Sequence, residues 1–261
     1  MAITRDDGLE GKVAVISGGS SGIGLALALA YARAGAHTVI NYLPSDPHDP
    51  TEAERQIIDA GGKTTIVAAD VRSTEQVDAL AQTAMDEYGR LDIAVAAAGI
   101  LRRNPIDEMT DESWEIMMDV DLTGVMRVFR ACSKFMTDGG AMVATSSIAG
   151  GVYGWEDHAH YAAAKSGVLG LCRSLASELG ERRIRVNSVI PGLIESPQSL
   201  DAVNSLGPEG LKAAGKLIPW GRVGTVDECA RVIRFLTSDD GAYVTGQQLI
   251  VDGGLTIKWP S

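Results

Sequence analysis

Two side chains four positions apart, in Tyr161-Ala162-Ala163-Ala164-Lys165, offer the clearest chemistry in the sequence. On a helix this spacing puts a phenol and an ammonium on one face, within reach of the same space. A phenol with a pKa near 10 is a poor base at neutral pH, and a nearby cation stabilises the phenolate, with roughly 1.4 kcal/mol corresponding to a tenfold gain in acidity. The pair is therefore an acid–base device for an oxygen-bearing substrate. Taken alone, a Tyr and a Lys at this spacing are more often a core aromatic and a solvated amine, so the surroundings must decide.

A second chemical feature is the run Ser17-Gly18-Gly19-Ser20-Ser21-Gly22-Ile23-Gly24, which leads directly into an Ala- and Leu-rich segment. Glycines at 18, 22 and 24 permit a tight turn, close approach of backbone to a pyrophosphate and close packing of helix on strand. The helix start adds free amides and positive potential. A dinucleotide held by Gly18, Ser20, Ser21, Gly22, Ile23 and Gly24 is the expected ligand; a flexible turn without a ligand is the plainer alternative.

The adenosine ribose would be read near Asn41-Tyr42, where an acid selects NAD and an arginine NADP. This chain has neither there. The segment after Tyr42, Leu43-Pro44-Ser45-Asp46-Pro47-His48-Asp49, is acidic and has no Lys or Arg before Arg55. An added phosphate would meet repulsion, which favours NAD over NADP. Asp70-Val71 either holds the adenine or simply leads the next helix.

These groups need elements to position them. Apolar runs at Lys12–Ser17, His37–Tyr42, Thr64–Ala69, Ile93–Ala97, Ala141–Ser146, Arg185–Ile190 and Gln248–Val251 are continuous rather than alternating, as in strands covered on both faces. Segments with helical spacing lie between them: Ile23–Ala34, Ser73–Tyr88, Ser113–Met136, Tyr161–Leu179 and Val226–Leu236. Capping-box patterns stand at Thr51 with Glu54, Ser73 with Gln76, and Thr225 with Glu228. Right-handed crossovers between parallel neighbours then predict an α/β fold, a Rossmann-like doubly wound parallel sheet of about seven strands with helices on both faces. One domain is expected over residues 1–261, with a substrate lid within about 193–224, where periodicity fades.

Composition narrows the partners. The 261 residues carry a formal charge of −11 and no basic cluster, which argues against nucleic acid and anionic membrane. The three cysteines, Cys132, Cys172 and Cys229, are widely spaced and read as buried small hydrophobes in a reducing compartment. Met1–Lys12 is charged, with no apolar core for a signal or a span, so a cytoplasmic location is expected. No metal site is expected.

In order along the chain, Ser17-Gly18-x-x-x-Gly22-x-Gly24, Asp70, the run ending in Gly99, Ser147, Tyr161-x-x-x-Lys165, Asn187 and Pro191-Gly192 together resemble the single-domain short-chain dehydrogenase/reductases. The likeness runs from about Leu9 to Gly254. It implies that Tyr161 transfers the proton, that Lys165 holds the nicotinamide ribose and lowers the phenol's pKa, and that Ser147 hydrogen-bonds the reacting oxygen, with Ser146 its rival. Ala98 and Gly99 would lie against the cofactor, and Pro191, Gly192, backbone at Ile194 and the Ser196 hydroxyl would meet the nicotinamide carboxamide. Asn187 has the place of a structural residue for a loop near the site. The resemblance also implies a homotetramer whose long helices, Ser113–Met136 and Tyr161–Leu179, share an interface.

Two departures stand out. Ala96-Ala97-Ala98-Gly99 replaces the family's usual pair of asparagines, so a sheet-stabilising hydrogen bond is expected to be lost or replaced. Asp121 stands where an asparagine normally joins a water relay behind the lysine; it accepts hydrogen bonds but donates none, and its charge alters the titration of Lys165. It could equally be a surface carboxylate.

Between Ser147 and Tyr161, the residues Trp155, His158 and His160 combine aromatic surface and imidazole, suiting a polar or ring-bearing substrate. The expected activity is hydride transfer between NAD(P) and a small secondary alcohol or ketone, sugar or cyclic polyol. The alternatives are NADPH-dependent 3-oxoacyl thioester reduction and, from another class, a dinucleotide-binding protein without catalysis.

Overall fold

The computed structural model describes residues 7–257; the first half of the charged Met1–Lys12 start lies outside the described residues. Nine strands follow in chain order: β1 Val13–Ser17, β2 His37–Tyr42, β3 Lys63–Ala68, β4 Leu91–Ala96, β5 Met136–Thr145, β6 Arg185–Pro191, β7 Ile194–Glu195, β8 Gly224–Thr225 and β9 Gln248–Val251. Seven of them form one parallel sheet in the order β3-β2-β1-β4-β5-β6-β9, while β7 and β8 pair separately. The helices are α1 Gly22–Arg33, α2 Pro50–Asp59, α3 Thr74–Tyr88, α4 Asp111–Met118, α5 Gly124–Ser133, α6 Ile148–Gly151, α7 Ala159–Glu178, α8 Pro197–Leu200, α9 Gly207–Gly215 and α10 Val226–Thr237.

The continuous apolar runs become strands because both of their faces are covered. In β1 alternate residues serve opposite cores. Val13 and Val15 join Val77, Leu80, Phe129, Val168 and Cys172 of α3, α5 and α7. Ala14 and Ile16 join Leu27, Tyr31, Ile57, Ile233 and Leu236 of α1, α2 and α10. All three cysteines are free and buried, as their spacing predicts.

Three local expectations differ in the structure. The start of α2 is not capped by Thr51: Asp49 accepts from the Thr51 amide at 2.9 Å, because Pro50 takes the first helical position and moves the cap back. The single helix expected over 113–136 is two helices, α4 and α5, joined through a π-helical turn at Asp119–Thr123, and Met136 already begins β5. Thr225 and Glu228 form a full capping box, whereas at Ser73 only the hydroxyl caps; Gln76 reaches back to the Asp70 amide instead.

Strand order reverses at β1, with β2 on one side and β4 on the other, and this opens a crevice beyond the carboxyl ends of the strands. The segments following β1, β4, β5 and β6 all end there.

Candidate active site

One cleft runs along this edge and is lined by Gly18, Ser20, Ser21, Gly22, Ile23 and Gly24 at one end and by Ser147, Tyr161 and Lys165 at the other. The glycine loop is shaped by contacts that leave no room for side chains. Gly18 has φ +71°, and a Cβ there would lie 2.7 Å from the Ala98 backbone; one on Gly24 would lie 2.0 Å from the Gly18 carbonyl oxygen. On Gly22 a Cβ would meet only Pro197, at 4.0 Å, so the loop has an open side. Ser21, the N-cap of α1, makes no side-chain cap and the first turn holds no acid. These amides suit a phosphate, so the loop fits a dinucleotide.

Beneath the loop, Asn41 accepts from the Gly18 amide at 2.7 Å and donates to the Ala69 carbonyl at 2.6 Å. The ribose end is lined by Tyr42, Leu43, Asp46, Asp70, Val71 and Arg72. Arg72 grips the Asp70 carboxylate through Nη2 at 2.6 Å and Nε at 2.9 Å, and holds it below the usual carboxylate range. A guanidinium thus lies at the end of the cleft that the segment after Tyr42 predicts to be acidic. Two positions past Asp70 in sequence, Arg72 gave no local sign of facing the same space.

At the chemical end, Tyr161 is buried on α7 with the Lys165 Nζ 5.6 Å from its ring centroid. Ser147, at the start of α6, accepts from the Ala149 amide at 3.1 Å, and its hydroxyl favours the charged form of the phenol. Its rival Ser146 is committed elsewhere, donating to the Lys165 carbonyl at 2.8 Å. Burial raises the Tyr161 pKa; Lys165 and Ser147 oppose that and Asp121 adds to it. Burial alone would push Lys165 down, but Asp121 and Tyr161 hold the ammonium above its ordinary value.

Asp121 is fully buried in the π turn, not on a surface. Its Oδ1 accepts from the Ile100 amide at 2.8 Å, and its Oδ2 pairs with Lys165 Nζ at 3.0 Å. Lys165 also donates to the Thr145 carbonyl at 3.2 Å, and the buried Thr145 hydroxyl, on the cleft wall, has no protein partner. A Cβ on Gly99 would fall 3.0 Å from Asp121 Oδ2 and 3.2 Å from Lys165 Nζ, which explains the glycine. With alanines at 96–98, the end of β4 is tied by Ala97 and Ala98 amides donating to the Ser17 carbonyl and hydroxyl at 3.1 Å and 3.3 Å.

Ala98, Pro191, Gly192, Ile194 and Ser196 line the cleft, and the Ser196 hydroxyl also caps α8. Buried Asn187 pins the turn before β9, donating to the Val244 carbonyl and accepting from the Gln247 amide, so the loop it shapes is that one. Of the three expected substrate residues only Trp155 faces the cleft. The His158 ring stacks on Trp155 and places its two nitrogens 2.6 Å and 3.1 Å from the Glu156 and Asn204 carbonyls. His160 is buried beside the acid–base group, its Nδ1 without a partner. His158 stands just before α7 and His160 in its first turn, and both are buried. Leu101, Arg102, Ile116, Leu193 and Leu211 complete the wall, residues from segments far apart in sequence.

Among the described residues no cluster of three metal-ligating side chains occurs, and no helix is long and apolar enough to cross a membrane.

The sheet, the glycine loop at its switch point and the buried Ser–Tyr–Lys group define a Rossmann-type oxidoreductase. The chain belongs to the short-chain dehydrogenase/reductase family, whose members bind NAD(P). A family model described as enoyl-(acyl carrier protein) reductase matches residues 18–256. Among curated relatives, 3beta-hydroxysteroid dehydrogenase 1 of Eggerthella lenta is 39% identical over 254 residues, 96% of each chain. A 3-oxoacyl-[acyl-carrier-protein] reductase of Thermotoga maritima is 37% identical, covering 95% of this chain and 99% of that one. Among solved structures, levodione reductase superposes with a TM-score of 0.89 at 29% identity, over 96% of this chain and 99% of the other.

Proposed function

We propose that this protein transfers hydride between NAD(P) and a secondary alcohol or ketone, with Tyr161 passing the proton. The observation that carries the reading is the buried grouping of Ser147, Tyr161 and Lys165 at one end of a cleft whose other end suits a pyrophosphate. Nicotinamide, when bound, supplies or accepts the hydride. Ser147 holds the substrate oxygen beside the phenol. Tyr161 gives that oxygen its proton in reduction and takes one in oxidation, and Lys165 stabilises the phenolate between these steps.

Gly18, Ser20 to Gly24, Ala98, Gly99, Pro191, Gly192, Ile194 and Ser196 are the residues that would hold the cofactor, with Tyr42, Asp70 and Val71 at its adenosine. Residues 193–224 serve as the lid, and the family's homotetramer is the proposed assembly. Leu101, Ile116, Trp155, Leu193 and Leu211 give the wall a broad apolar stretch beside Arg102, which favours a ring-bearing alcohol or cyclic ketone over an open sugar. The name of the steroid-oxidising relative supports that class.

Arg72 favours a second reading, NADPH-dependent reduction of 3-oxoacyl thioesters, which the name of the second relative also supports. Asp70 neutralises Arg72 and Asp46 lies close by on the same wall, so NAD remains the favoured cofactor. Parallel titration with NADH and NADPH, then turnover of cyclic ketones, steroids, polyols and acetoacetyl thioesters, separates the readings. Tight NADH binding with cyclic-ketone turnover supports the first; NADPH preference with thioester reduction replaces it with the second. Binding without turnover of any substrate overturns both in favour of a non-catalytic role.

A further inference from the structure

An Asp at position 121 alters more than hydrogen-bond capacity. Two donors converge there, the Ile100 amide at 2.8 Å on Oδ1 and the Lys165 ammonium at 3.0 Å on Oδ2. An asparagine has one acceptor and one donor at the same two places, so it would set an N–H against one of these donors. The carboxylate accepts from the amide through Oδ1 and meets the ammonium through Oδ2 as an ion pair, fully buried against a lysine side chain only 6% exposed. No solvent screens this pair, and its charge is felt at the phenol on the same helix as the lysine.

We propose that Asp121 sets the pH range over which the site works: in buried contact with Lys165, it compensates the charge of the ammonium and holds the proton on Tyr161 to a higher pH than a lone ammonium would. The inference rests on the reading of Tyr161 as the proton carrier and adds its pH dependence. Asp121 is a positioning residue that acts through Lys165.

The other charges facing the group do not cancel this effect. Tyr161 is faced by Lys165 from its own helix, by Asp121 from the π turn and by the neutral hydroxyl of Ser147. Burial pushes the Asp121 carboxyl above its ordinary value, while Lys165, the Ile100 amide and His160 favour its charged form; burial and the neighbouring His158 hold His160 toward its neutral form. A lone ammonium would favour the phenolate; the ammonium paired with a buried carboxylate favours it less. Reduction needs the phenol and fails as pH rises through its pKa, while oxidation needs the phenolate and appears over the same rise.

The test is the pH dependence of kcat/KM in both directions for the wild type and Asp121→Asn, with thermal melting as a check on folding. In the wild type, reduction should stay level through neutral pH and oxidation should rise only toward roughly pH 10 or above. Asp121→Asn should move both limbs down by about one pH unit. Ultraviolet difference spectra of each protein against its Tyr161→Phe counterpart should show the same downward move in tyrosinate formation without turnover. Unmoved limbs and spectra in folded Asp121→Asn overturn the proposal. If that variant does not fold, the wild type decides: oxidation already level at about pH 8 overturns it. Failure of the underlying reading looks different, since Tyr161→Phe would then stay active.

Discussion

Asn41 ties the Gly18 amide to the carbonyl of Ala69, with bonds of 2.7 Å and 2.6 Å, so one buried side chain at the end of β2 fastens the glycine loop to the end of β3. Asn41→Ala leaves the Ala69 carbonyl and the Gly18 amide without these partners, at a cost of about 1–3 kcal/mol. A lower melting temperature and several-fold weaker NADH binding are expected. Unchanged affinity would mean that the loop keeps its shape unaided.

Gly24→Ala tests the packing beneath the same loop. The added methyl lies 2.0 Å from the Gly18 carbonyl oxygen, a backbone atom that cannot turn aside. Overpacking of this kind costs about 1–3 kcal/mol and displaces the amides that would meet a phosphate. Calorimetric titration should show NADH affinity reduced at least about tenfold.

Tyr161→Phe removes the proton path and little volume. Turnover should fall by more than about tenfold, the equivalent of 1.4 kcal/mol, while cofactor binding holds. Residual activity above a tenth of wild type in a steady-state assay would refute the role of this phenol.

Asp92 gives a stability test away from the cleft. Its carboxylate is 3% exposed, accepts from the Val13 amide at 3.0 Å and takes two bonds from Arg90, at 2.8 Å and 2.7 Å. Burial raises its pKa, but Arg90 and the amide outweigh that and hold the group below its ordinary 3.8. A depressed folded pKa gives stability that is present above about pH 4 and lost as pH falls through the folded value. Half-exposed Arg90 makes the pair weaker than a fully buried one, so Asp92→Asn should cost about 1–2 kcal/mol near neutrality. The gap in melting temperature between wild type and variant should close as pH falls below about 4; a constant gap would show that the charge is not what stabilises.

Features that depend on neighbours along the chain are legible before any tertiary contact is known. Short, continuous runs rich in β-branched residues, such as Val13–Ser17, bounded by glycine, read as strands covered on both sides, and the glycine loop then falls between strand and helix. The spacing of Tyr161 and Lys165 puts them on one face of α7 whatever else surrounds that helix. Tertiary structure decided the pairings between distant segments. Asp121 reads equally well as surface or core until the π turn carries it inward onto Lys165, and Arg72 shows its guanidinium only when the end of β3 is packed against β2. His158 and His160 look like cleft residues from their place beside Tyr161, yet both are buried and neither lines the cleft. Side-chain direction across packed elements follows from burial and from partners tens of residues distant, and local periodicity does not encode it.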